Sequence, residues 1–265
     1  MDKKCAPGKT FKEGSCFTLN DLIDMSTSYN KKFPKDTFVI KQNKKYLLKQ
    51  LTLKMKEKYE CADQVCWVNQ NFIDDTKESD NLKHFTFRPT GPKKQYDWLS
   101  TSDINKVMAQ YENKYDTFTF FGAVPSDFME LPYTKAYNAD YDKMVKNNKY
   151  QYGMVINLDE HNKSGSHWVG LYGNLKEKKL YFFDSFGIKP KKNIQSYIDD
   201  MTKYMGTKVD YKYNKKQHQY NNSECGVYSM NFVIRLLNGE TFDQIVDNPT
   251  NDEAMNACRK VYFRN

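Results

Sequence analysis

Apolar residues recur with two different periods along this chain of 265 residues. Short runs of β-branched and aromatic residues, bounded by Gly, Asn, Ser and Lys, predict neighbouring strands at 152–159, 167–173 and 179–186. Apolar residues at helical spacing predict helices at 98–108, 193–205 and 225–237. The pattern therefore predicts an α+β fold, built on a central sheet with helices against it.

The amino-terminal part of the chain has a different pattern. Its apolar positions follow a helical period, with Leu47, Leu51 and Met55 on one face. The polar stretch DDTKESDN at 74–81 has no apolar period and is typical of a linker. We therefore expect a small helical arm with its linker at 1–83 and a larger domain at 84–265.

Composition narrows the class of protein. Aromatic residues make up 15% of the chain, which argues against disorder and a coiled coil. No apolar run approaches the ~18 residues that span a bilayer, and no apolar stretch follows the first lysines, so neither a membrane span nor a secretory signal is expected. An intracellular, reducing location follows. The net charge of +8 is carried by 41 basic residues, of which only four are arginine, and it favours either weak attraction to polyanions or a simple coding bias.

Six cysteines are spaced unevenly, unlike a disulfide framework. Cys5, Cys16, Cys61 and Cys66 are separated by ten and four residues within each pair, unlike the tight pairs of common zinc sites. We therefore expect these four to be reduced, partly buried thiols, and we expect no metal ion or organic cofactor.

Cys225 is the best candidate for a nucleophile. It begins a predicted helix, where the partial positive charge of the helix terminus stabilises a thiolate. His167 opens one predicted strand and Asp184 closes the next, so a hairpin would bring an imidazole and its orienting carboxylate together. Gln219 precedes the cysteine by six residues, and its amide with the Cys225 N–H could form an oxyanion hole.

The other histidines leave one alternative open. His218, seven residues before Cys225, is a rival base, although no aspartate on a neighbouring strand orients it. His84 and His161 lie in polar surroundings, and a solvated surface role is expected for both. The competing role for Gln219 is that of an ordinary loop residue.

The segments HWVGLY, FFDSF and QYNNSECGVYS, spread over about 155–237, resemble a known family. It comprises the ubiquitin-like-protein-specific proteases, their adenovirus-protease relatives and the processing proteases of large DNA viruses. The resemblance implies an adenain-like cysteine protease fold, with a central mixed sheet and the nucleophile on a helix. It also implies a cysteine endopeptidase using the His167, Asp184, Cys225 triad and Gln219.

The resemblance extends to two substrate-binding tryptophans. In the family, one tryptophan starts a helix and another follows the catalytic histidine, and together they form a tunnel for a Gly-Gly-like tail. Trp98 and Trp168 match these positions. The family aspartate three residues after the first tryptophan is Thr101 here, with Asp103 two positions later, so Trp98 matches less closely. Core packing is the competing role for both tryptophans.

The resemblance also implies a substrate. The expected role is processing of viral capsid or core precursors after small Gly-X motifs, in the host cytoplasm and in the packaged virion. The alternatives are an isopeptidase that removes a ubiquitin-like, SUMO-like modifier, an acetyltransferase with the same triad, and a DNA-binding protein on the same fold. DNA could act as a non-specific activator. The amino-terminal arm most resembles the arms of proteases from large cytoplasmic DNA viruses.

Overall fold

The computed structural model describes residues 4–264, which form two compact units. The first comprises the described residues up to Thr90 together with Phe263 and Arg264, and the second is Gly91–Tyr262. Within residues 4–264, no helix combines the length and the apolar character needed to cross a membrane.

The first unit is a helical arm, as its apolar period predicts. Leu22 and Met25 on one helix and Leu47 and Leu51 on the next are fully buried in a shared core. The helices of this unit are α1 Leu19–Lys32, α2 Lys44–Tyr59, α3 Gln64–Trp67 and α4 Ser79–Phe85.

Two disulfide bonds in this unit show that the expectation of reduced thiols was wrong. They join Cys5 to Cys16 and Cys61 to Cys66. An antiparallel β-bridge between Lys12 and Ser15 reverses the direction of the chain. The Cα atoms of Cys5 and Cys16 lie 5.4 Å apart. That separation is within the range that a disulfide spans. Spacing along the sequence carries no information about such a turn.

The stretch 74–81 is part of the first unit and is not a free linker, which corrects the prediction. A 3₁₀ helix covers Ile73–Asp75, and α4 begins at Ser79. The carboxylate of Asp24 on α1 accepts a hydrogen bond from the backbone N–H of Lys77 at 2.9 Å. Buried apolar residues flank the polar stretch and hold it in place. A separate catalytic domain beginning at residue 84 stays a prediction.

The second unit is built on a five-stranded sheet in the order β1-β2-β3-β4-β5. The central three strands are antiparallel, and β1 and β5 join the edges in parallel, so the sheet is mixed. The strands are β1 Phe118–Val124, β2 Gln151–Asn157, β3 Trp168–Asn174, β4 Lys179–Phe183 and β5 Asp210–Tyr213. The helices are α5 Thr101–Lys114, α6 Tyr141–Lys146, α7 Lys192–Met205, α8 Cys225–Leu237, α9 Phe242–Asp247, α10 Asp252–Ala257 and α11 Arg259–Tyr262.

Helices cover both faces of this sheet. Met154 and Leu171 share a core with Ile198 of α7. The alternate face packs against α8, where the ring of Phe183 stacks on Phe232 at 4.9 Å. Because both faces are buried, the strands are almost continuously apolar. The α+β class with a helix-borne cysteine is therefore confirmed.

Gly170 sets how closely α8 approaches β3. A Cβ atom at this position would lie 3.1 Å from the Ser229 carbonyl oxygen and 3.1 Å from the Phe232 ring. A larger residue would push the helix away from the sheet. The position of Cys225 relative to β3 therefore depends on a glycine in the strand.

Candidate active site

Cys225 is the first residue of α8 and is 4% exposed. Its side chain lies at the positive end of a 13-residue helix. The next residue is glycine because the first turn is closely packed: a Cβ at Gly226 would lie 3.1 Å from Leu99 and 3.3 Å from Trp168. The backbone next to the nucleophile is thus packed against Trp168, one of the two predicted tryptophans.

The register of β3 and β4 brings the predicted base to the predicted carboxylate. Gly170 pairs with Phe183, so His167 and Asp184 meet just beyond the ends of their strands. The His167 Nε2 atom lies 2.7 Å from Asp184 Oδ1. His167 lies just before β3, which begins at Trp168. Strand alternation therefore does not force the side chains of His167 and Trp168 onto opposite faces of the sheet.

Four contacts hold the Asp184–His167 pair. The Asp184 Oδ1 atom also accepts a hydrogen bond from the Phe186 N–H at 2.9 Å, and the Phe186 ring stacks on His167 at 4.6 Å. The amide of Asn214 accepts from the Asp184 N–H at 2.8 Å and donates to its carbonyl oxygen at 2.6 Å. Sequence reasoning missed Asn214, which lies in a polar loop without any periodic signal.

His167 is electrostatically prepared to hold a proton. Burial alone would lower the pKa of His167, but hydrogen bonds with Asp184 and Cys225 and their negative charges raise this pKa to about 9. Since Nε2 faces Asp184, Nδ1 is the nitrogen left to face the thiol. The ring can therefore take a proton from Cys225 and remain charged at neutral pH.

Gln219 is buried beside the end of β4. Its Oε1 atom accepts a hydrogen bond from the Ser185 hydroxyl at 2.6 Å, and its backbone N–H donates to the Ser185 carbonyl at 2.9 Å. Its Nε2 atom donates to the Asn221 carbonyl at 2.7 Å. An amide nitrogen carries two hydrogens, so the oxyanion role predicted for Gln219 requires the second one.

The two tryptophans lie on one pocket of about 590 Å³. Trp168 is 7% exposed and donates from Nε1 to the Leu99 carbonyl at 3.0 Å, whereas Trp98 is 54% exposed. Core packing therefore does not account for Trp98. Asp103, which stands two positions after the place of the family aspartate, caps α5 and accepts a hydrogen bond from the Ser100 N–H at 2.9 Å.

Two of the remaining histidines, His218 and His161, differ in their burial. His218 is buried, packs edge-on against Phe183 at 5.2 Å, and burial lowers its pKa. This core setting favours His167 over His218 as the base. His161 is half-exposed on the rim of the tryptophan pocket, where its Nδ1 atom lies 2.5 Å from Asp127 Oδ2.

Comparison with known proteins agrees with this geometry. The model of the Ulp1 protease family, C-terminal catalytic domain, matches residues 90–265. The chain belongs to the Ulp1 protease family. It is therefore a thiol protease and a hydrolase, and the family, fold class and enzyme class predicted from the sequence are confirmed.

The curated relatives of this family member are viral. A protein of Acanthamoeba polyphaga mimivirus, named as a thiol protease, is 38% identical over 98% of this chain and 93% of its own length. A SUMO-1 cysteine protease of African swine fever virus is 23% identical over 83% of this chain and 90% of its own. A crystal structure of an African swine fever virus protease superposes with a TM-score of 0.67 at 18% identity, covering 99% of this chain and 96% of the other.

The Asp184–His167 contact predicts the pH dependence of the Ulp1-type reaction. Because the Asp184 carboxylate raises the pKa of His167, Asp184→Asn should lower that pKa. The alkaline limb of the pH–rate profile, expected near pH 9 in the wild type, should then move to lower pH. The value of kcat should also fall by about 10²-fold or more, because the ring loses its orienting acceptor.

Asp127→Asn is the matched control, because Asp127 also binds a histidine but lies outside the triad. It should leave kcat and the alkaline limb unchanged. Stopped-flow or steady-state rates from pH 5 to pH 10 would measure both variants. Equal loss in the two variants, or an unmoved limb in Asp184→Asn, would contradict the assignment of Asp184.

Proposed function

We propose that the chain is an endopeptidase that uses Cys225 as nucleophile, His167 as acid and base, and Asp184 to orient His167. The observation that best supports this is the ring of His167, which lies 2.7 Å from the Asp184 carboxylate and whose pKa is raised by both Asp184 and Cys225. The thiol proton passes to Nδ1 as sulfur attacks the scissile carbonyl carbon. The imidazolium then protonates the leaving amine as the C–N bond breaks.

The second half of the reaction reverses these roles. A water molecule loses a proton to His167 and attacks the thioester carbonyl, and the released thiolate of Cys225 restores the pair. The oxyanion of each tetrahedral intermediate would lie between the backbone N–H of Cys225 and the second N–H of Gln219. Both donors are held before substrate binds, because Gln219 is fixed to Ser185.

We propose that the segment before the scissile bond is a small Gly-X or Gly-Gly-like tail. Trp168 and Leu99 pack tightly on Gly226, the residue after the nucleophile, and they line one pocket together with exposed Trp98. Glycine avoids a Cβ collision and permits backbone angles closed to other residues.

The substrate we propose is a viral capsid or core precursor, cleaved in the infected host cell and in the packaged virion. The viral origin of the relatives supports this choice. Disulfide bonds such as Cys5–Cys16 persist in oxidising settings, including virions, and are rare in cytosolic proteins. Nothing observed supports a DNA activator, and the proposal does not include one.

Removal of a ubiquitin-like modifier is the second candidate, because one relative is named a SUMO-1 cysteine protease. Two fusions with the same Gly-Gly junction separate the candidates: one places an unfolded precursor segment before the junction, the other a folded SUMO domain. We expect faster cleavage of the precursor segment, and no cleavage of either fusion by Cys225→Ala. A preference for the SUMO fusion would favour the modifier role instead.

Trp98 provides a separate test of the tail specificity. Trp98→Ala should lower kcat/KM for Gly-Gly peptides about 10-fold or more, through lost positioning, and should narrow the gap to Val-containing peptides. Tyr96→Ala is the control, since Tyr96 is also exposed but does not line the pocket. The measurement is a peptide library cleaved by each variant, with folding checked by thermal melt. Wild-type cleavage after bulky residues would contradict the specificity.

A further inference from the structure

The loop from Gln219 to the nucleophile is held from outside by the last two helices of the second unit. The Asp252 carboxylate, at the start of α10, accepts hydrogen bonds from the backbone N–H groups of Tyr220 at 2.8 Å and Asn221 at 2.9 Å. Its other oxygen accepts from the Tyr228 hydroxyl at 3.1 Å. One end of the loop is thereby tied both to α10 and to α8.

Arg259 of α11 holds the other end of the loop. Its Nη2 atom donates to the Ser223 carbonyl oxygen at 2.8 Å, two residues before the nucleophile. The side chain is 93% buried, since Arg259 is 7% exposed. Within residues 4–264, its Nε and Nη1 atoms have no hydrogen-bond partner. A guanidinium stays charged even where burial opposes the charge, so a cation is fixed behind the turn.

The charged groups near Arg259 do not neutralise it by direct contact. The Arg259 guanidinium interacts electrostatically, without direct contact, with Glu224, Cys225, Asp97 and Asp103. The Glu224 carboxylate is already occupied by the hydroxyl and the N–H of Ser223. Cys225 therefore interacts with the imidazole of His167 and the guanidinium of Arg259, and the carboxylates of Glu224, Asp97 and Asp103 also act on Arg259.

The rarity of arginine strengthens the case for a specific role. Only four of the 41 basic residues are arginine. Each of the four donates in a defined contact, to a backbone carbonyl in three cases and to the Glu240 carboxylate in the fourth; they are Arg88, Arg235, Arg259 and Arg264. In a chain that otherwise uses lysine, arginine stands where a rigid, permanently charged donor is needed.

We propose that Arg259 is a positioning residue for the reaction, which rests on Cys225 being the nucleophile as proposed above. By holding the Ser223 carbonyl it fixes the turn that presents the Cys225 N–H to the oxyanion. Its permanent charge also favours the thiolate over the thiol. The C-terminal helices thus serve the active site although they contribute no group that touches substrate.

The test is the rate at which iodoacetamide alkylates Cys225 in the full-length chain, measured by mass spectrometry of the Cys225 peptide across pH. This readout needs no substrate, so a failed Gly-Gly specificity would leave it intact. Following the Cys225 peptide separates this thiol from Cys258, which is also free. Arg259→Gln keeps a donor without the charge, and Arg259→Lys keeps the charge without the fork.

Arg259→Gln should move the alkylation midpoint to higher pH and slow labelling at pH 7 about tenfold, because the thiolate loses a nearby fixed cation. Arg259→Lys should keep the midpoint near that of the wild type, and both variants should lose kcat. Arg235→Gln is the control: Arg235 forks onto Glu240 near the far end of α8, so its loss should lower the melting temperature and leave the midpoint unchanged.

Three results would overturn the proposal. The first is an unchanged labelling profile and kcat in a folded Arg259→Gln variant. The second is an equal midpoint shift in Arg259→Lys and Arg259→Gln, which would remove the charge from the explanation. The third is failure of both variants to fold, which would make Arg259 a residue of general structural support.

Discussion

The contact between His167 and Asp184 depends on the pairing of β3 with β4, and the rest of the site depends on that contact. The antiparallel register places Gly170 opposite Phe183. The imidazole of His167 and the carboxylate of Asp184 therefore meet just beyond the ends of their strands. A shift of one residue would reverse the faces of a strand and separate the pair. Helices on both faces oppose such a shift, because each strand is buried on both sides.

The same packing explains why the charged groups of Asp184 and His167 are tolerated in a largely buried site. A buried carboxylate is costly unless its oxygens are satisfied. Asp184 meets that requirement through His167 and the Phe186 N–H, while Asn214 fixes its backbone. The positive charge of the protonated His167 ring is compensated by Asp184, and also by Cys225. Burial lowers the pKa of the imidazole and the interactions with Asp184 and Cys225 raise it. The interactions have the larger effect, so the pKa of His167 is raised overall.

Much of this could be predicted from the sequence, for physical reasons that particular residues show. Buried strands and helices have dense apolar patterns, so β2, β3, β4, α7 and α8 were predicted to within a few residues. The β1 strand, FTFFGAV, was missed because its apolar residues follow neither a strict alternation nor a helical period. The Cys5–Cys16 and Cys61–Cys66 disulfides, the folded stretch 74–81 and the contacts of Asn214 and Arg259 depend on the path of loops, which periodicity does not encode.

The most direct test of the triad is an NMR titration of the His167 ring in the wild type and in Cys225→Ala. We expect a midpoint near pH 9 in the wild type. We expect a lower midpoint in Cys225→Ala, because the hydrogen bond and negative charge of the cysteine both raise the pKa of His167. A ring that titrates near its ordinary value of about 6.5 in both proteins would contradict the assignment of His167 and Cys225 as an interacting pair.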